Sequence, residues 1–143
     1  MKQAIAVVLA VLGIGILITI VLVFAGRDAA QLRAREALLR DLNTLKPTYR
    51  VQLNSRDTIE PAAIVNALRA VTTVPAHHSE PERPFLLDIS DGEHNILVTL
   101  AEDSHRPHEF WVFRPPPKSS PASLGQEVGR ITDPQLRRYL AGR

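Results

Sequence analysis

FLLDISDGEHNILVTL, residues 85–100, is the stretch that decides the fold. Phe85, Leu87 and Ile89 alternate with Leu86, Asp88 and Ser90, and Ile96, Val98 and Leu100 resume that alternation after Asp91-Gly92. A period of two puts one set of side chains on one face of a strand. An Asp-Gly pair between two such runs signals a hairpin, because a type I′ turn needs positive φ at both central residues. The stretch therefore predicts a β-hairpin with its tip at Asp91-Gly92.

On the C-terminal side, Glu102 to Glu109 reads as a polar loop, and Phe110-Trp111-Val112-Phe113 as a third strand, apolar on both faces. Such a strand implies cover on both sides, or one aromatic face left open for contact. Residues 115–123 are proline-rich and read as a polyproline-type linker. Val128 to Ile131 fits a short strand. Asp133-Pro134 has the form of an N-cap and first helical residue, with the helix ending near Leu140 before Gly142.

On the N-terminal side, Thr73 to Pro84 holds three prolines and reads as a loop. Ile64, Leu68 and Val71 share a helical face, predicting a helix from Ile59 to Val71. Asp57 and Glu60 have capping-box spacing before it, and Pro61 is tolerable in its first turn. Tyr49, Val51 and Leu53 alternate with polar residues as a half-buried strand does. Residues 47–143 are thus expected to form a small α+β domain, an antiparallel sheet packed by two helices.

Residues 26–46 continue a helical pattern, with Leu38, Leu42 and Leu45 at i, i+4, i+7, until Lys46-Pro47 stops it. The pattern lasts about two heptads, fewer than a coiled coil requires. The expectation is a solvated juxtamembrane stalk, able to support at most a weak homodimer.

Beyond the three-residue head lies AIAVVLAVLGIGILITIVLVFA, residues 4–25. It contains no charge, its only polar side chain is Thr19, and 15 of its 22 residues are Leu, Ile, Val or Phe. As a helix it extends about 33 Å, against a hydrocarbon core of about 30 Å. A lone strand would leave its backbone polar groups unpaired in lipid. Fifteen strongly apolar residues favour insertion by roughly 5 kcal/mol. Lys2 and the small-residue site at Val23-Phe24-Ala25 also fit a cleaved export signal, but the apolar run exceeds the usual 7–15 residues of one, so an uncleaved single-pass signal-anchor is favoured.

The net charge of +2 is too small to argue for nucleic acid, and the arginines Arg130, Arg137, Arg138 and Arg143 form only a weak basic set. With no cysteine, thiolate metal sites and cysteine nucleophiles are excluded. The scattered glycines form no phosphate loop. Asp103-Ser104-His105 places triad residue types side by side, whereas a working triad is assembled by folding. Asp88, Asp91, Glu93, Glu102 and Asp103 offer carboxylates around a turn, ordinarily a solvated edge. The best site hypothesis is histidine-based. His77 and His78 lie in the loop entering the hairpin, and Asp103, His105 and His108 in the loop leaving it, so the two sets become neighbours if the hairpin forms. Zinc would be the ion, yet the spacing matches no recurring ligand motif.

Lys2 precedes the apolar run, and Arg27, Arg33, Arg35 and Arg40 follow it, which by the positive-inside rule favours a cytoplasmic domain over a periplasmic one. The expectation is a protein of the cell membrane, the bacterial inner membrane by its type. Its domain would be an accessory or scaffolding module for a protein partner rather than an enzyme, with Phe110, Trp111 and Phe113 as contact candidates. The alternative is a membrane-tethered metal-binding or hydrolytic domain using the histidine loops.

Overall fold

The computed structural model describes residues 2–58, 60–73, 79–115 and 124–140, with side chains described from residue 12. The chain divides into two units, Met1–Ala30 and Gln31–Arg143. Helix α1, Lys2–Thr44, contributes to both.

In the first unit, α1 is the one helix among the described residues long and apolar enough to cross a membrane. The Thr19 hydroxyl donates to the Gly15 carbonyl at 2.9 Å, so the polar side chain of the run is satisfied within the helix.

The second unit is α+β, with a single six-stranded antiparallel sheet ordered β2-β1-β3-β4-β5-β6. Its strands are β1 Arg50–Leu53, β2 Arg56–Asp57, β3 Pro81–Ser90, β4 Asn95–Asp103, β5 Glu109–Arg114 and β6 Gln126–Thr132. Helices α2, Pro61–Arg69, and α3, Leu136–Leu140, pack on one face. The core contains Ile64 and Leu68 of α2, Leu136 of α3, Leu87 and Ile89 of β3, Val98 and Leu100 of β4, and Phe110 and Val112 of β5.

A third helical wall comes from α1. Ala34, Leu38 and Leu42 lie in that same core, with both leucines at 0% exposure. From Gln31 onward, the segment expected to be a solvated stalk is therefore built into the domain, and Leu38 and Leu42 of its apolar stripe pack inside the chain. Polar contacts reinforce the seating. Gln31 Nε2 donates to Glu127 Oε1 (3.0 Å), Arg35 Nε to the Val71 carbonyl (2.8 Å) and Arg69 Nη2 to the Leu42 carbonyl (3.2 Å), and Arg114 pairs with Asp41 (2.8 Å).

The predicted hairpin is present, with Leu87 opposite Val98 and Ser90 opposite Asn95. Its turn is not type I′. The last pair leaves residues 91–94 as the loop, and Asp91 keeps negative φ while Gly92 has φ 91°. Asp91 Oδ1 instead accepts the backbone N–H groups of Glu93 (2.9 Å) and His94 (2.7 Å), an Asx-type turn that needs no positive φ at the aspartate. Asp91 Oδ2 accepts the Lys46 N–H at 2.9 Å, tying the exit from α1 to the hairpin tip. Paired positive φ values occur at Asn54 (47°) and Ser55 (67°), in the two-residue loop between β1 and β2.

Three further expectations change. Asp57 lies in β2 and accepts from Gln52 (3.0 Å), and α2 starts at Pro61 with no side-chain cap from Glu60. Strand β3 extends back to Pro81, through the stretch expected to be loop. It tolerates Pro84 by a bulge in which Arg83 takes φ 47°. Strand β4 runs on to Asp103, so Glu102 and Asp103 are strand residues. Expected elements that fall on Ile59 and on residues 74–78, 116–123 and 141–143 lie outside the described residues.

Because Leu38 and Leu42 complete the core, a fragment starting at Gln31 should unfold cooperatively on heating. One starting at Pro47 should show no cooperative transition, since losing two buried leucines forfeits about 2–5 kcal/mol each against a typical domain stability of about 5–15 kcal/mol. Circular dichroism melts of the two fragments check this.

Candidate functional site

Strand alternation sends Trp111 and Phe113 to the face of the sheet opposite the helices. There they form a second small apolar cluster with Ala101 and the partly buried Leu124. The two rings are stacked, with centroids 6.0 Å apart. Register fixes their neighbours: Trp111 lies opposite Ala101 on β4 and opposite Arg130 on β6. The Arg130 guanidinium sits over the indole, 3.1 Å from the ring centroid, a cation–π arrangement.

Arg130 is only 2% exposed, and a buried cation requires partners. Its Nη1 contacts Glu109 Oε1 at 2.9 Å and Asp103 Oδ2 at 3.2 Å. Asp103 Oδ2 also accepts from the Trp111 indole N–H (3.0 Å) and from the Ser79 hydroxyl, while Oδ1 accepts the backbone N–H groups of His105 (2.9 Å) and Arg106 (3.0 Å). Burial pushes the Asp103 carboxyl up. The Ser79 hydroxyl, those two N–H groups and the Arg130 charge outweigh it, and the net shift is downward. Glu109 takes a second arginine, Arg106, at 3.0 Å. On the helix face, Glu102 is held bidentately by Arg137 of α3 (3.0 and 2.8 Å), with Arg83 at 3.6 Å.

Of the carboxylates read as a solvated edge, Glu102 and Asp103 are interior, 8% and 5% exposed, and so is Glu109 of the expected polar loop, at 7%. Asp88 accepts from Asn95 (2.9 Å), Asp91 organises the turn, and Glu93 pairs with Lys46. Two members of the basic set, Arg130 and Arg137, are engaged in these ion pairs; Arg143 lies outside the described residues. The contact candidates Phe110, Trp111 and Phe113 are 0%, 7% and 6% exposed, so none presents an open aromatic face. Phe110 is covered by the helix layer, and Trp111 and Phe113 lie within the second cluster.

Of the two loops of the histidine hypothesis, the described ends meet at Glu80 and Ser104. Glu80 N–H donates to Ser104 Oγ, Ser104 N–H donates to the Glu80 carbonyl, both at 3.0 Å, and Pro81 pairs with Asp103. His77 and His78 lie outside the described residues. His105 and His108 are exposed, while the carboxylate expected to join them, Asp103, is committed to Arg130, Trp111 and Ser79. No group of three metal-ligating side chains occurs among the described residues. Nor do Asp103, Ser104 and His105 form a relay. His105 Nδ1 lies 2.8 Å from Ser104 Oγ, but Asp103 receives the histidine's backbone N–H and not its ring. Sequence reading missed the roles of Arg130, Glu109 and Ser79. The one local signal was a lone arginine in a strand otherwise apolar at Val128 and Ile131.

Comparisons with protein-family models, with characterised proteins and with solved structures find no match to this chain.

Two outcomes follow from the ion network. Arg130→Met leaves Asp103 and Glu109 without their shared cation, and should lower stability by about 3–5 kcal/mol. Combined with Asp103→Asn, the double-mutant cycle in urea should give a coupling of about 0.5–3 kcal/mol. The pH dependence has a definite sign. Asp103 and Asp91 both have carboxyls lowered from 3.8, Asp91 chiefly by the N–H groups of Lys46, His94 and Glu93. Their stabilisation is fully present above the unfolded pKa and is lost as pH falls below it toward the folded values. Urea midpoints between pH 6 and pH 2 should drop below about pH 4, and the drop should be shallower in Asp91→Asn.

Proposed function

We propose that this is a single-pass membrane-anchored protein whose α+β domain serves as an accessory or scaffolding module in a membrane-associated assembly. The carrying observation is the first unit's surface. Ten large apolar side chains from Leu12 to Phe24 stand 46–66% exposed, on every side of the helix, and none of that stretch is buried. In water such a surface is strongly unfavourable; in a bilayer it is the solvent-matched one. The arginine excess after the run supports a cytoplasmic domain on the inner membrane of a bacterial cell. The accessory role rests on that anchor tethering a small α+β domain, in which Asp103, Glu109 and Arg130 are engaged with one another inside the sheet.

Anchoring is tested by fractionation. The full chain should stay in the membrane pellet after alkaline carbonate extraction. Replacing Ile16 and Ile20 with arginine adds roughly 5–7 kcal/mol of insertion penalty, enough to offset the gain of the apolar run, and should release it. In the same cells, a C-terminal green fluorescent protein should fluoresce and a C-terminal alkaline phosphatase should stay inactive; the opposite pattern overturns the cytoplasmic assignment. The scaffolding role is tested by mild-detergent copurification. A second protein should co-elute in fixed ratio with the full chain and be lost when the domain is deleted. A lone species in native extracts overturns that role while leaving the anchor intact.

A further inference from the structure

We draw no further inference here: the strongest candidate, the apolar groove of about 480 Å³ between α2 and the β6–α3 junction, with Ala63, Ala67 and Ile131 in its lining and Asn66, Gln135 and Tyr139 beside them, carries nothing because the Tyr139 hydroxyl is taken by Gln135, Asn66 by Arg69, and nothing in the structure shows what covers it.

Discussion

The structure of the domain turns on one strand with no polar face. Strand β5 carries Phe110 and Val112 on one side and Trp111 and Phe113 on the other, and all four are buried. A single layer of helices can cover only one side of a sheet. The helix layer is completed by Leu38 and Leu42 of α1. The other side is closed differently. There the Arg130 guanidinium lies over the indole, and its charge in turn recruits Asp103 and Glu109. The buried ions therefore follow from the aromatic strand. A planar cation covers a ring as an aliphatic residue would, provided its hydrogen bonds are met.

The same closure governs the sheet's edges, where unpaired backbone groups would otherwise template association with another chain. On β6, Thr72 exchanges backbone hydrogen bonds with Arg130 at 2.9 and 2.8 Å. This approach requires Gly129, since a Cβ there would fall 2.2 Å from the Thr72 carbonyl oxygen. The segment leaving α2 thus caps the edge strand that supplies the buried arginine. On β3, the half not paired with β1 contains Pro81, Pro84 and the bulge at Arg83, which withhold or misdirect the N–H groups an incoming strand would need.

What could be read from the residues was what short-range periodicity encodes. The apolar run, the hairpin of residues 85–100 and the two-sided character of β5 all follow from spacing within a few residues. What could not be read was the identity of the facing surface. Leu38 and Leu42 announce a helical face, but nothing nearby says that it meets Ile64 and Leu87 rather than water or a second copy. Glu102, Asp103 and Glu109 look solvated because three acids fall within eight positions. Glu109 has Arg106 close by in sequence, but Arg130 and Arg137, which between them reach all three, lie 21 to 35 residues away. The approach of Glu80 to Ser104 was legible from hairpin geometry. The commitment of Asp103 was not, because two of its partners, Trp111 and Arg130, come from the next two strands of the sheet.

That commitment bears on the chemistry open to the domain. A general acid or base works best with a pKa near the operating pH and with its reactive atom accessible. Asp103 departs on both counts: its carboxyl is held below the ordinary range, and both oxygens are occupied by donors from Ser79, Trp111, Arg130 and two backbone amides. Recruiting it as a metal ligand would take from Arg130 one of its two close carboxylate partners inside the protein. Glu102 is similarly fixed by Arg137, and that pair holds α3 on the sheet. The buried carboxylates are thus engaged in holding strands and helices in place. Asp103, Glu109 and Arg130 neutralise one another inside the sheet, and Glu102 and Arg137 do so between the sheet and α3.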